Sequence, residues 1–435
     1  MRSVIGWGAL FFVLVGTPAF GSATEHVDPV TPVILSLAII LITAKFGGDL
    51  AVRMGQPSVL GELLIGVVLG NLTLLGYSGL EYIKDDFTID MLARLGVLIL
   101  LFEVGLESTV GQMMKVGLVS TFVALLGVIA PFALGWAVGS WLLPDSSVYV
   151  HAFLGATLCA TSVGITARVL QDLKHSKSPE ARIILGAAVI DDVLGLVILA
   201  AVTGMIAAAD TGGAVSYTQL LVIVLKAFLF LTLSLVLGVF LSPKLFSLAS
   251  KLRSRGVLLA AGLSFCFLLS WLAGKVGLAP IVGAYAAGLI LEDLHYRDFV
   301  EKGERSLEHL IQPISAFLVP IFFVLMGMRT DLRSFAEPGV LGLAAALIFA
   351  AIIGKQACSL GVFQKGIDRL SIGIGMIPRG EVGLIFANIG LHLTMQGERI
   401  IDQAIFSAVV VMVIVTTLIT PPALKWSLGR NKTET

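Results

Sequence analysis

The chain has 435 residues, 57% of them hydrophobic and 13% charged, with a mean hydropathy of +0.97. Soluble chains carry about 25% charged residues, so the composition excludes a soluble domain and reads as an all-α polytopic membrane protein, the bilayer itself its first partner. Lysine plus arginine equals aspartate plus glutamate at 29 each, which argues against a nucleic-acid partner, and Cys159, Cys266 and Cys358 stand far apart without metal-ligand spacing.

Residues 1–23 have one basic residue, an apolar core, then Pro18 and small residues, the layout of a signal peptide or else of an extra N-terminal helix. Residues 24–435 read as a single membrane transporter domain. Hydropathy predicts about thirteen transmembrane helices, spans one to thirteen, over 31–52, 57–76, 91–111, 117–142, 149–170, 182–208, 217–241, 256–274, 278–292, 310–328, 338–362, 370–394 and 402–424. Basic residues gather in alternate loops (Arg168, Lys174, Lys177; Lys244, Lys251; Lys302, Arg305; Lys365, Arg369) and in the tail, while the opposite loops carry Asp28, Asp145 and Asp210. The positive-inside rule then puts the N-terminus outside and the C-terminus in the cytoplasm, in a bacterial inner membrane.

An internal repeat organises the chain. Leu60-Gly61-Glu-Leu-Leu-Ile-Gly66 resembles Val282-Gly283-Ala-Tyr-Ala-Ala-Gly288 at an offset of 222, and the same offset sets Gly105 on Gly327. Spans two to six then fall on spans nine to thirteen, giving repeats over about 57–208 and 279–424 with linker helices over about 217–274. Five helices repeat, an odd number, so the expectation is of inverted copies, with a substrate site between them at mid-depth. Two matching spans are interrupted: span five by Ala160-Thr161-Ser162-Val163-Gly164, span twelve by Pro378-Arg379-Gly380-Glu381-Val382-Gly383, the offset setting Thr161 against Gly383. Irregular backbone at membrane depth survives where it is buried or lines a cavity, so the pair is expected to be two crossing unwound helices at a binding site.

The charges at that depth are few. Asp191 and Asp192 are adjacent in span six, and Asp192 lies ten residues past Arg182, about 15 Å into a core of about 30 Å. A charge there costs at least about 2.5–3.5 kcal/mol, which marks a functional site. Lys355 of span eleven and Arg379 of span twelve reach similar depth, ten residues from Lys365 and Arg369. Lys355 is expected either to brace an aspartate or to titrate during transport. Successive helical residues point about 100° apart, so one aspartate can face Lys355 and the other the gap between the unwound helices. Glu103 is a candidate third carboxylate, while Glu62, Glu107, His151 and His392 lie toward span ends.

These stretches, in this order, resemble the two-aspartate sodium/proton branch of the cation/proton antiporters. The resemblance runs from residue 31 onward and rests on Gln56-Pro-Ser-Val-Leu-Gly-Glu62, Leu100-Leu-Phe-Glu-Val-Gly-Leu-Glu107, Ala160-Thr-Ser-Val-Gly164, Ala188-Val-Ile-Asp-Asp-Val-Leu-Gly195, Gly354-Lys355 and Pro378-Arg-Gly-Glu-Val-Gly383. It implies the sodium/proton antiporter fold, a mobile core, a homodimer joined by its scaffold and an elevator-like movement. It also implies that Asp192 is the main cation and proton site and Asp191 the partner of Lys355. Relatives specialised for potassium usually carry a cytoplasmic nucleotide-binding domain, which this sequence does not show.

The expected activity is monovalent cation/proton exchange of Na⁺ or Li⁺, electrogenic, with K⁺/H⁺ exchange or sodium-coupled transport of an organic anion as alternatives. A carboxylate at low dielectric holds either a proton or a desolvated cation. Asp192, Asp191, Thr161 and Ser162 are the expected cation ligands, supported by Arg379, Glu381, Gly164, Pro378 and Glu103. No cofactor and no enzymatic reaction are expected. Two adjacent aspartates on one helix cannot flank a peptide as an aspartyl protease requires, and charges clustered at one depth do not line a channel.

Overall fold

The computed structural model of the chain describes residues 30–107, 117–162, 166, 169–170, 175, 178–210, 217–252, 254–291, 305–336, 339–364, 366–395 and 398–430. The expected leader over 1–23 and Gly164 lie outside them. The helices are α1 (Val30–Arg53), α2 (Ser58–Gly70), α3 (Phe87–Glu107), α4 (Leu118–Leu142), α5 (Val148–Cys159), α6 (Pro179–Asp210) and α7 (Tyr217–Ala249). They continue as α8 (Val257–Lys275), α9 (Pro280–Ile290), α10 (Leu307–Met328), α11 (Val340–Gln356), α12 (Arg369–Gly375), α13 (Glu381–His392) and α14 (Gln403–Arg430). Every expected span contains helix, and the twelfth is split into α12 and α13.

Eight described helices are long and apolar enough to cross a membrane. Spans two, five, nine and twelve are shorter than hydropathy suggested: α2, α5, α9 and α13 have 13, 12, 11 and 12 residues. At about 1.5 Å per residue such helices are about 20 Å long or less. The helical reading has one further departure. Past His392 the chain forms a small antiparallel ribbon, Thr394–Met395 paired with Glu398–Arg399, where the sequence reading carried span twelve to residue 394.

The helices sort into two bundles. In the scaffold, α1 packs on α2, α2 on α10, α3 on α9 and α10, and α9 on α7 and α8. In the core, α4 packs on α5, α6 and α11, while α14 packs on α11, α12 and α13. Small residues let the scaffold backbones close up. A Cβ on Gly66 would stand 3.0 Å from the Gly327 Cα, and one on Gly105 would stand 3.0 Å from the Gly288 Cα. Gly66 and Gly288, like Gly105 and Gly327, are 222 residues apart, so each contact is the other with its partners exchanged. Gly47 against Gly61 likewise has its counterpart in Leu269 against Gly283, which brings α1 and α8 into the relation alongside the five helices read from sequence. A methyl group on Gly288 meets main chain of α3, and overpacking of this kind costs about 1–3 kcal/mol. Gly288→Ala is therefore expected to lower the thermal midpoint in detergent; an unchanged midpoint would mean the α3–α9 contact is loose.

Candidate cation site

The site forms where two interrupted segments cross in the core. Helix α5 stops at Cys159 because Ala160 turns extended, with φ −60° and ψ 144°. Helix α12 stops at Gly375, and the chain stays out of α-helix through Met376–Gly380 before α13 begins at Glu381. Pro378 has no N–H to continue the ladder, which fixes the break there. Each segment satisfies the other's stranded groups. The Ser162 N–H donates to the Pro378 carbonyl at 2.9 Å. The Thr161 hydroxyl donates to the Met376 carbonyl at 3.4 Å and that of Thr166 to the Gly375 carbonyl at 2.7 Å. The interruption expected over Pro378–Gly383 runs from Met376 to Gly380, and Glu381–Gly383 already belong to α13.

Among the described residues, four charged groups of the core are buried around this crossing. On α6, Asp191 is 0% and Asp192 is 6% exposed. Lys355, near the end of α11, is 0% exposed, and its Nζ donates to Asp191 Oδ2 at 2.8 Å. Arg379 is fully buried in the second break. Its Nη1 donates to the Met376 carbonyl at 3.4 Å and its Nη2 to the Ala351 carbonyl at 3.5 Å. Its Nε has no hydrogen-bond partner among the described residues. The guanidinium therefore stands at the C-terminal end of α12, where the helix presents its partial negative charge. With both aspartates ionised and the lysine protonated, two carboxylates balance one ammonium and one guanidinium. An arriving cation unbalances that set unless a proton leaves.

Of the other candidates, Thr161 and Ser162 are 1% and 0% exposed, with hydroxyl lone pairs able to replace water around a hard cation. Glu381 opens α13; its side chain lies outside the description, as does that of Glu107. Glu103 is not at the crossing. It sits on α3 in the scaffold, where the Ser315 hydroxyl of α10 donates to its Oε2 at 2.5 Å. His151 Nε2 is tied to the Leu143 carbonyl at 2.9 Å, and His392 Nδ1 to the Asn388 carbonyl at 2.7 Å. At the seam between bundles, Arg329 at the end of α10 pairs with Asp90 at 2.7 Å and donates to Asn388 of α13 at 3.4 Å. A cavity of about 410 Å³ lies in the same seam, lined by Arg94, Leu98, Thr203, Pro280, Asn388 and Ile389 among others.

Sequence reasoning missed the support behind Arg379. Its N–H donates to the Thr416 hydroxyl at 3.4 Å, and its carbonyl accepts from Thr417 at 3.0 Å, both from α14. Two adjacent threonines in the apolar run Val413–Leu418 were the available signal.

A family model described as the transmembrane sodium/hydrogen exchanger matches residues 40–429, which takes in Asp191, Asp192, Lys355 and Arg379. The chain belongs to the sodium/hydrogen exchanger family. Its membership makes it a cation/proton antiporter of the membrane, a secondary transporter rather than an enzyme. Among relatives of this exchanger, the high-affinity Na⁺/H⁺ antiporter NhaS3 of Synechocystis sp. is 37% identical, the match covering 94% of this chain and 93% of that protein. The Na⁺/H⁺-K⁺ antiporter GerN of Bacillus cereus is 35% identical, with 90% and 95% covered. The solved structure of the sodium proton antiporter MjNhaP1 from Methanocaldococcus jannaschii superimposes with a TM-score of 0.66 at 15% identity, covering 92% of this chain and 97% of that one. That likeness establishes the fold: this exchanger has the helical architecture of the sodium/proton antiporters.

Proposed function

We propose that the protein exchanges Na⁺ or Li⁺ for H⁺ by alternating access, with Asp192 carrying cation and proton in turn. The observation that carries the reading is the asymmetry of the adjacent aspartates. Lys355 engages Asp191 at 2.8 Å, and Asp191 and Lys355 are both 0% exposed while Asp192 keeps 6%. The carboxylate not bridged to the lysine is thus the less deeply buried of the two. A cation arriving there exchanges its hydration shell for the Asp192 carboxylate, the Thr161 and Ser162 hydroxyls and carbonyls of the broken segments. An ionised, empty site is costly to carry through the low-dielectric interior, so the loaded forms cross and the two fluxes are coupled. The α4–α6 and α11–α14 core is the moving body, and the scaffold joins two copies in a homodimer. The basic loops place the N-terminus outside and the C-terminus in the cytoplasm of a bacterial inner membrane.

The test is reconstitution into liposomes with imposed Na⁺, Li⁺ or K⁺ gradients and a dye reporting internal pH. Proton movement driven by Na⁺ supports the reading. Movement driven by K⁺ alone would reassign the cation, a reading favoured by the 28% identity, over 76% of this chain, to a K⁺/H⁺ antiporter subunit of Bacillus subtilis. Uptake of a labelled organic anion would overturn cation/proton exchange as the main activity. Where one carboxylate serves both ions, each pH unit below its pKa costs about tenfold in apparent Na⁺ affinity, about 1.4 kcal/mol. A Na⁺ affinity that stays flat from about pH 5 to 9 would show separate sites for the two ions.

A further inference from the structure

We propose that Gly127 of α4 is a positioning residue of the exchange site, keeping open the space in which the Lys355 ammonium meets Asp191; the proposal rests on the exchange reading above. Gly127 is buried within Leu118–Leu142, and α4 packs against both α6 and α11, the helices that supply the two charges. A Cβ at this position would stand 2.7 Å from Cys358 Sγ, 3.3 Å from Lys355 Nζ and 3.8 Å from Asp191 Oδ1. Both members of the ion pair and the thiol that follows them therefore converge on a position of α4 that projects no side chain. The other buried glycines of this helix are spacers of a different kind. At Gly135 an added carbon meets the backbone of Gly155, and at Gly139 it meets His151.

Glycine is the least favourable residue in a helix interior after proline, so its presence here implies that the missing methyl group matters. The thiol cannot readily yield. Cys358 is fully buried in a cluster with Val123, Ala124, Ile184, Ile372 and Met376. Lys355 hangs on a flexible four-carbon stem, so an alanine at 127 displaces the ammonium and stretches its 2.8 Å bond to Asp191. No group of α4 touches the cation directly in this account. Gly127 acts through the lysine.

The experiment compares Gly127→Ala with Lys355→Gln, with Gly127→Ala/Cys358→Ala, and with Gly262→Ala as a control. An added carbon at Gly262 meets Leu307 Cδ1 at 2.7 Å, an equally close clash, but in the scaffold. Each variant is reconstituted for Na⁺-driven flux and transport current, and its thermal midpoint is followed against pH in detergent. Gly127→Ala is expected to lose current per Na⁺ and to shift its pH profile toward that of Lys355→Gln. The added Cys358→Ala should restore both by vacating the nearest contact, while Gly262→Ala changes the midpoint alone. A Gly127→Ala protein with wild-type current and pH profile would overturn the proposal. So would one that loses stability like Gly262→Ala, with no change in the pH dependence of its midpoint and no rescue by Cys358→Ala. If wild-type protein exchanges nothing, the exchange reading falls by itself, and the midpoint-against-pH comparison with Lys355→Gln still judges Gly127.

Discussion

In proteoliposomes under a Na⁺ gradient, Asp192→Asn should bring dye-reported proton movement down to the level of protein-free vesicles. The amide matches the carboxylate in size but cannot ionise, so it can neither alternate a proton nor neutralise a cation. Folding should survive, because Asn removes a buried charge without leaving Lys355 unpaired: the lysine is bonded to Asp191. The contrast with Asp191→Asn is informative. That change strips Lys355 of its counter-charge and should destabilise the protein while leaving the exchanging carboxylate in place. Substantial Na⁺-driven proton flux through folded Asp192→Asn protein would defeat the assignment, and loss of flux in Asp191→Asn alone would transfer the role to its neighbour.

The second large effect is expected at Lys355. Removing one partner of a buried ion pair costs about 3–5 kcal/mol, much of it the penalty on the charge left behind. Lys355→Gln leaves Asp191 at 0% exposure without its ammonium, so the thermal midpoint should fall steeply. Uptake of a proton by Asp191 limits the loss, and Asp191→Asn combined with Lys355→Gln should recover part of it. Function should separate from stability. With both aspartates ionised, the ammonium and the Arg379 guanidinium balance two carboxylates, so a bound cation leaves an excess positive charge that a lysine proton can carry away. Without that proton Asp192 still exchanges one ion for another, and the cycle should lose its dependence on membrane voltage. Transport current on a solid-supported membrane, measured beside dye-reported flux, reads both. If Lys355→Gln carries full current per Na⁺, the lysine only braces Asp191 and the second proton travels elsewhere. Glu103 is the remaining carboxylate candidate, though its bond to Ser315 on the scaffold sets it on the other bundle from Asp191.

The sequence by itself determined the class of protein, the approximate positions of its helices and the residues at mid-depth. These are properties of single segments. A run of apolar residues has one low-energy fate in a bilayer, and a charge in the middle of such a run is costly whatever surrounds it. The glycines at 61, 66, 283 and 288 were likewise legible as small residues at helix contacts, because close approach constrains residue size at fixed positions. Tertiary structure decided what depends on distance between segments. It made α2 and α9 shorter than their apolar runs, because backbone packed inside protein need not span the hydrocarbon alone. It bounded the second break at Met376–Gly380, where the sequence had read Pro378–Gly383. It brought Lys355 to Asp191, where spacing along the chain allowed either aspartate. It set Thr416 and Thr417 behind Arg379, and it gave Gly127 its neighbours. A missing side chain leaves no chemical mark in a sequence; only the atoms that crowd the empty position reveal what the gap is for.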